Sequence, residues 1–326
     1  MIPEFYTRRP EWSDRIERIG ELIGRVSTFE EMGGAVLELR RTNRIASVHS
    51  STAIEGNPLT LAQVSDLADG VPVFAPPRAV REVENALAAY DAMGSFDAWS
   101  VDDLLRAHGL LTVGLVGESG AFRTVDVEIV GVDGTALHTG SRAEKVPRLI
   151  GELLEWARGS SDHPLVVSSA VHYLIEHIHP FRDGNGRLGR LWQTLILSRW
   201  RPVFAWMPTE SLIRRHQAGY YEALQASHEP EIDAAFFIDY MLGIIAESLL
   251  DYEARVRSGD THGGINGGIN AVLALLRVEP RLSASALAGR LGVGKRTVER
   301  DLAELKSAGR LRRVGSNKTG FWEIVG

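Results

Sequence analysis

The sequence contains no cysteine among its 326 residues and no long uninterrupted run of apolar residues. Without cysteine there can be no disulfide, no zinc–thiolate site, no iron–sulfur cluster and no thiol nucleophile. No stretch approaches the roughly 18 apolar residues that a membrane-spanning helix needs. The first residues, MIPEFYTRRPEW, lack the apolar core of a secretory signal peptide. We therefore expect a soluble protein of the cytoplasm that does not enter a membrane.

Acidic and basic residues are unevenly distributed along the chain. The net charge of the whole chain is −6. Arg277–Gly326 contains eleven Lys and Arg against five Asp and Glu, a net charge of +6, so the remainder of the chain carries −12. Such asymmetry indicates a basic module, suited to an anionic partner, attached to an acidic body.

Helical periodicity dominates the sequence, so the fold class is predicted to be mainly α. Pro, Gly and Asn separate the periodic segments where helices are expected to stop. One stretch differs, because Val125, Val127 and Ile129 alternate with polar residues ahead of the turn pair Asp133-Gly134. This pattern predicts a β-hairpin. In a helical protein such a hairpin must pack on the helices or offer its edge to another chain.

The most informative segment is His179–Arg190, with the sequence HPFRDGNGRLGR. We expect one helix to end near its first residue and another to begin around Gly186. Gly184 and Gly186 allow backbone conformations that leave N–H groups exposed at a helix start, and such groups attract anions. Arg187 and Arg190 share a helix face. Because cations in the first turns of a helix oppose its dipole, these two arginines indicate a bound anion.

Two titratable residues accompany this anion-binding loop. The histidine side chain ordinarily changes its charge near neutral pH, so the residue type at 179 (His179) is suited to take a proton from an attacking hydroxyl group. Asp183 places a carboxylate beside a phosphate site, which is how Mg²⁺ is usually held. A histidine at a helix end is more often a packing or capping residue, so the prediction depends on the combination. The combination predicts phosphoryl or nucleotidyl transfer, because this chemistry uses a base, a carboxylate that holds a metal, a phosphate-binding loop and guanidinium groups.

The same segment resembles, position for position, the HPFx[D/E]GNGRxxR signature of Fic domain proteins. The resemblance covers about residues 101–257. It implies a mainly α-helical Fic fold with a β-hairpin flap, and an enzyme that transfers AMP from ATP to a Ser, Thr or Tyr hydroxyl of a protein with Mg²⁺. Doc-type relatives, which phosphorylate their targets, carry Ala and Lys in place of the glycines of GNGR. Both glycines are present here, which favours AMP transfer.

The resemblance also implies roles for individual residues. His179 would be the base that deprotonates the target hydroxyl, Asp183 would hold Mg²⁺, and Phe181 would anchor the loop in the core. The implied nucleotide contacts are Gly184, Asn185 and Gly186 in the phosphate loop, Arg187 and Arg190 on the phosphates, and Tyr221, from its family position alone, near adenine. The hairpin with Val125, Val127 and Ile129 would be the flap that aligns the target segment by β-strand addition.

A second motif lies upstream, in the segment Ser51–Gly56 (STAIEG). Ser51 and Glu55 point the same way from a helix, and a carboxylate in a last helical turn is disfavoured by the dipole. Taken alone, Glu55 is explained more simply as a surface glutamate. The segment also resembles the inhibitory [S/T]xxxE[G/N] motif of many Fic proteins. That resemblance implies that Glu55 pairs with Arg190 and keeps ATP in a non-productive pose. In some relatives the equivalent glutamate also supports removal of AMP, so de-AMPylation stays open.

The basic C-terminal segment resembles a winged helix-turn-helix domain. Its third helix is expected at Lys295–Ser307, and its wing at Leu311–Val314 and Gly320–Ile324. The predicted DNA contacts are Lys295, Arg296, Thr297 and Arg300 in the helix, and Arg312, Arg313 and Lys318 in the wing. A domain for protein docking or dimerisation fits the same pattern, so both interpretations stay open.

The leading hypothesis is an autoinhibited, Mg²⁺-dependent protein adenylyltransferase that binds ATP and a protein target. Two alternatives stay open: a DNA-binding regulator with a secondary Fic activity, and a Fic enzyme that transfers another phosphate-containing group. Self-modification stays open for the leading hypothesis, and a homo-oligomer stays open as a partner. The predicted domains are an N-terminal helical region with the inhibitory helix (1–100), the Fic core (101–257), a Gly-rich linker (258–269) and the winged helix-turn-helix (270–326).

Overall fold

The chain forms two compact units. One unit comprises Met1–Ser27 and Arg44–Leu250, and the other Thr28–Asn43 and Asp251–Gly326. The structure, a computed structural model, describes residues 5–30, 35–130, 136–228, 232–258, 272–273, 275–277, 279–291, 295–307, 309–315 and 320–325. Among these residues, none of the helices combines the length and the hydropathy that are required to span a bilayer.

Helices make up most of the described chain, which confirms the predicted mainly α fold. From residue 12 to residue 258 they are α1 (Trp12–Glu30), α2 (Ala35–Ile54), α3 (Leu61–Ala68), α4 (Pro77–Ala92), α5 (Val101–Thr112), α6 (Val146–Gly159), α7 (Pro164–Ile178), α8 (Asn185–Trp200), α9 (Thr209–Arg215), α10 (Gln217–Ala226) and α11 (Ala235–Ser258). Short 3₁₀ turns occur at Met93–Ser95, Ala143–Lys145 and Pro202–Ala205.

Helices α7 and α8 pack against each other in the core of the first unit. α7 begins with Pro164, whose missing N–H would have had no partner inside the helix. The ring Nδ1 of His163 accepts a hydrogen bond from the N–H of Leu165 at 3.2 Å. Nearly every side chain of α7 is buried, and Trp192 of α8 is fully buried as well. Both helices are therefore held mainly by burial of apolar surface, and they place the connecting loop at one end of this core.

A short β-hairpin is present where the alternating pattern predicted one. Strand β1 (Glu128–Val130) pairs with strand β2 (Ala136–Thr139) in antiparallel register, with Glu128 opposite Thr139. The first strand begins at Glu128, so Val125 and Val127 precede it and Ile129 lies within it. The predicted turn pair Asp133-Gly134 lies outside the described residues.

The C-terminal part of the second unit has the helices and wing that were expected. Helices α12 (Ala284–Leu291) and α13 (Lys295–Ser307) precede the antiparallel strands β3 (Leu311–Val314) and β4 (Phe321–Ile324). The core cluster consists of Val272, Leu273, Leu276, Leu287, Ala288, Val298, Leu302, Leu305, Leu311 and Trp322. Most of the predicted linker and the predicted wing contact Lys318 lie outside the described residues.

Gly189 of α8 marks a close approach between α7 and α8. A Cβ at this position would lie 2.6 Å from Cδ2 of the fully buried His172 ring. The ring cannot readily move, because its nitrogens contact Gln193 at 2.7 Å and the Tyr220 hydroxyl at 3.1 Å. We expect Gly189→Ala to lower the free energy of unfolding by roughly 1–3 kcal/mol in chemical denaturation. The control is Gly151→Ala in α6, where a Cβ meets nothing within 4 Å. In this variant the free energy of unfolding should rise by up to about 1 kcal/mol, because alanine favours a helix more than glycine does. Equal losses in both variants would contradict this explanation.

Candidate active site

The loop between α7 and α8 has the backbone geometry of an anion site. His179 follows α7 in the left-handed conformation with φ of 52°, and among the described residues it is the one non-glycine residue with positive φ. Gly184, with φ of 87°, precedes the first residue of α8. A Cβ on Gly184 would lie 2.9 Å from Cγ2 of Thr112, so this position requires glycine for both conformation and space. The first N–H groups of α8 are directed at this loop, as at any helix start.

Buried side chains hold the loop in place from behind. Phe181 is fully buried, and its ring centroid lies 3.6 Å from that of His108 in a stacked pair. The side chain of Asn185 bonds the N–H and the carbonyl of Phe181 at 3.0 and 2.8 Å. Burial lowers the pKa of His108 to about 4. The neutral ring accepts from the N–H of Gly120 and donates to the carbonyl of Asp183, each at 3.0 Å. Asn185 thus shapes the predicted phosphate loop.

The imidazole of His179 is oriented by the last turn of α7, the helix that precedes it. Its Nδ1 lies 3.2 Å from the carbonyl oxygen of Glu176. With a proton on Nδ1 directed at that carbonyl, Nε2 carries the lone pair that a general base needs. The carbonyl of His179 accepts a hydrogen bond from Nε of Arg123 at 2.7 Å. Arg123 is buried and also bonds the carbonyl of Val125 at 2.8 Å, so it joins the chain before the hairpin to the histidine.

The base of the hairpin lies close to His179. The N–H of Gly140, directly after β2, donates to the carbonyl of Val127 at 3.1 Å. A Cβ on Gly140 would lie 3.4 Å from the Cβ of His179. Val125 is exposed, and Ile129 lies in β1. The hairpin that carries the predicted flap residues therefore has its base next to His179, the predicted general base.

Asp183 and Arg187 form a charged cluster at the start of α8. Oδ1 of Asp183 lies 2.9 Å from Nη2 of Arg187, and Oδ2 lies 3.4 Å from Nη2 of Arg78. The Asp183 side chain is 39% exposed, whereas that of Arg187 is 3% exposed. Nη1 of Arg187 lies 2.6 Å from Oε1 of Glu82 in α4. The structure thus brings the predicted metal carboxylate and one predicted phosphate ligand into direct contact.

Arg190 contacts the upstream segment that was singled out in the sequence. Its Nε donates to Oγ of Ser51 at 3.0 Å, and its Nη2 donates to the carbonyl of Ser51 at 2.9 Å and to Oε1 of Glu55 at 2.6 Å. The Arg190 side chain is 1% exposed. Its Nη1 is buried and has no hydrogen-bond partner within the described part of the chain. A buried guanidinium N–H without an acceptor is costly, so a further acceptor would be favourable here.

A second carboxyl group, that of Glu176, lies beside this pair. A Cβ on Gly186 would lie 3.1 Å from Nη1 of Arg190 and 3.1 Å from Oε1 of Glu176, and Oε1 of Glu55 would be closer still. The Glu55 carboxylate therefore lies directly over the glycine of the loop. The pKa of Glu176 is raised to about 7, mainly by burial and secondly by the negative charge of Glu55. The positive charge of Arg190 acts in the opposite direction. The Tyr220 hydroxyl donates to Oε1 of Glu176 at 3.2 Å.

The remaining predicted contacts are placed less directly. The hydroxyl of Tyr221 lies 3.4 Å from the carbonyl of Ile54, beside the segment that carries Glu55. In the second unit, Lys295 pairs with Glu299 at 3.3 Å. Arg296, Thr297 and Arg300 belong to α13, but their side chains lie outside the description. Arg312 pairs with Glu323, and the guanidinium of Arg313 lies 4.8 Å from the ring centroid of Trp322.

Sequence reasoning missed several polar residues that surround the loop. They are Arg78, Glu82, His108, Arg123 and Glu176. Only Glu176 had a usable signal, because it lies in the last turn of α7, three residues before His179. The others come from segments distant in sequence, and no spacing rule relates them to the loop.

These features define a class of protein: a mainly α-helical fold with a histidine, a glycine-rich helix start and two buried arginines around one loop. Residues 98–197 match the model of the Fic/DOC family, and residues 269–320 match that of an HTH domain. The crystal structure of a Fic family protein from Desulfovibrio desulfuricans G20 is 36% identical, with a TM-score of 0.72 and coverage of 98% of both chains. The chain belongs to the Fic family, which confirms the family and the C-terminal domain expected from the sequence.

More distant relatives extend this comparison. The protein adenylyltransferase Fic of Aedes aegypti is 26% identical over 231 residues, which cover 67% of this chain and 44% of that protein. The chain thus matches less than half the length of this curated relative. Fic-1 from C. elegans has a TM-score of 0.60 at 23% identity, over 75% of this chain and 73% of that chain, and shares the fold.

Proposed function

We propose that this protein transfers AMP from ATP to a Ser, Thr or Tyr hydroxyl of a protein. The observation that carries the proposal is the loop after α7, where His179, the start of α8 and two buried arginines meet. Family membership and the similarity to proteins named adenylyltransferase support the same activity. Both glycines of the GNGR segment are present, which favours AMP transfer over phosphate transfer.

We infer one step for each of these groups. Nε2 of His179 takes the proton of the target hydroxyl, whose oxygen forms a bond to the α-phosphorus of ATP while the bond to pyrophosphate breaks. The N–H groups at the start of α8 and the guanidinium of Arg187 stabilise the negative charge that develops on the phosphate oxygens. Arg190 binds the terminal phosphate through the nitrogen that has no acceptor in the described chain.

The donor set around Asp183 fits Mg²⁺. Its carboxylate is partly exposed beside the helix start, and no cluster of three His, Asp or Glu that could hold a metal occurs among the described residues. One protein carboxylate completed by phosphate oxygens and water is a common Mg²⁺ arrangement. Asp183 would hold the ion, which would neutralise phosphate charge when bound.

We also propose that the contact between Glu55 and Arg190 inhibits the enzyme. Glu55 pairs with Nη2 of Arg190 and so offsets the positive charge that would attract a terminal phosphate to the neighbouring Nη1, and its carboxylate lies over Gly186. A phosphate group over Gly186 would be repelled by the Glu55 carboxylate. The hydrogen bond between Glu55 and Arg190 joins two charged groups, and such hydrogen bonds are stronger than those between neutral groups. ATP would then bind with its phosphates displaced from the productive position.

Labelled ATP tests the reaction directly. We expect the protein with Mg²⁺ and α-³²P-ATP to incorporate label into itself or an added target, and the same incubation with γ-³²P-ATP to leave protein unlabelled. The physical reason is that the α-phosphorus stays on the target while pyrophosphate leaves. Label from the γ-position instead would contradict the proposal and favour a Fic enzyme that transfers phosphate.

A DNA-binding regulator is the second candidate function. The match to an HTH domain and the net charge of +6 in the last fifty residues favour it, since basic modules bind phosphate backbones. Salt-sensitive DNA binding without label from either nucleotide would support this candidate over the enzyme.

A further inference from the structure

Arg187 lies between two carboxylates of different character. Asp183 belongs to the loop and is partly exposed, whereas the Glu82 side chain, on the neighbouring helix α4, is 17% exposed. Nη1 of Arg187 and Oε1 of Glu82 are within ion-pair distance, but the N–H is not aimed for a hydrogen bond. Glu82 therefore acts on Arg187 through its charge.

Glu82 is itself held in place. Nδ2 of Asn57 donates to Oε2 of Glu82 at 2.8 Å and to the carbonyl of Ala79, also in α4, at 3.0 Å. Oδ1 of Asn57 accepts from the N–H of Leu59 at 3.1 Å, and Asn57 is buried. The side chain of Asn57 is thus bonded on both sides, and it fixes the carboxylate that faces Arg187.

The position of Arg187 explains why such a partner is needed. It is the third residue of α8, where the helix dipole repels a cation. Without Glu82, Asp183 is its other ion-pair partner among the described residues. The guanidinium would then turn towards Asp183 and engage the carboxylate that is suited to a metal.

We propose that Glu82 is a positioning residue that directs the guanidinium of Arg187 at the anion-binding loop, with Asn57 fixing Glu82. The inference rests on the proposed function for the identity of the anion, the phosphates of ATP. Asn57 follows Glu55 by two residues. The segment that contacts Arg190 directly therefore also supports Arg187 through Glu82.

The test compares Glu82→Gln with Glu84→Gln in the full chain carrying Glu55→Gly. Glu84 lies on the same helix, and its carboxylate pairs at 3.4 Å with Arg81 on the surface. We measure dissociation constants for ATP and for adenosine by calorimetry. Glu82→Gln should weaken ATP binding roughly tenfold, as loss of a residue that orients a ligand commonly does, and leave adenosine binding unchanged. Glu84→Gln should change neither constant.

Two results would overturn the inference. In the first, Glu82→Gln binds ATP as tightly as Glu84→Gln does. In the second, Glu82→Gln weakens the binding of ATP and of adenosine equally, which indicates that the whole nucleotide site is disrupted. If Glu82→Gln does not fold, Asn57→Ala decides, since it leaves both charges in place. Weaker ATP binding with unchanged adenosine binding supports the inference, and unchanged ATP binding overturns it. A protein that shows these binding effects but transfers no AMP would refute the proposed function alone.

Discussion

Replacing His179 with alanine is expected to abolish AMP transfer, with a loss of at least about a hundredfold in rate. We propose the imidazole as the acceptor of the hydroxyl proton, since with its Nδ1 directed at the carbonyl of Glu176 its Nε2 is left as the base. ATP binding should persist, because the N-terminus of α8 and both arginines are unchanged. Incorporation of α-³²P label measures transfer, and calorimetry measures ATP binding.

The left-handed backbone at this position requires a matched variant. Alanine is strained at a φ of 52°, whereas asparagine tolerates this region far better. His179→Asn should therefore keep the loop conformation and ATP affinity, yet transfer as little AMP as His179→Ala. If His179→Asn retained near-normal transfer, the histidine would be a conformational residue and its role as base would be wrong.

Replacing Glu55 with glycine should raise label incorporation about ten- to a hundredfold, the range that corresponds to losing one hydrogen bond between charged groups. The variant removes the carboxylate from Nη2 of Arg190 and from the space over Gly186. Glu55→Gln separates these two effects, since it keeps the volume but removes the charge. We expect its activity to lie between those of the parent protein and Glu55→Gly.

Arg190→Ala in the Glu55→Gly background tests the other half of the pair. This double variant should bind ATP more weakly and lose most of the gained activity, because it lacks the guanidinium that we propose as the ligand of the terminal phosphate. Full activity in the double variant would contradict the role of Arg190. Unchanged activity of Glu55→Gly itself would show that the contact with Arg190 does not inhibit.

Much of the local structure could be predicted from the sequence. The expected break between helices near His179 and Gly186 corresponds to the end of α7 at Ile178 and the start of α8 at Asn185. Glycine and helix-start preferences act over a few residues, so they can be read from a short segment. The hairpin was located for the same reason, although its first strand begins at Glu128, later than the alternation of valines suggested.

Contacts between distant segments needed more than local patterns. The pairing of Glu55 with Arg190 was suggested by a family motif and not by spacing, because the two residues are 135 positions apart. The link from Asn57 through Glu82 to Arg187 had no sequence signal at all. Asn57 and Glu82 both lie outside the His179–Arg190 and Ser51–Gly56 motifs. The sequence around each of them is that of an ordinary turn or helix.

The amino-acid sequence by itself determined a mainly α-helical chain, the turn that exposes N–H groups at the start of α8, and the residue types around it. Only the tertiary structure decided which carboxylate faces which arginine, and that the nitrogen Nη1 of Arg190 is buried without an acceptor among the described residues. The physical reason is the separation along the chain over which each kind of interaction acts. Backbone preferences arise within a few bonds, whereas ion pairs between helices depend on how buried apolar faces pack.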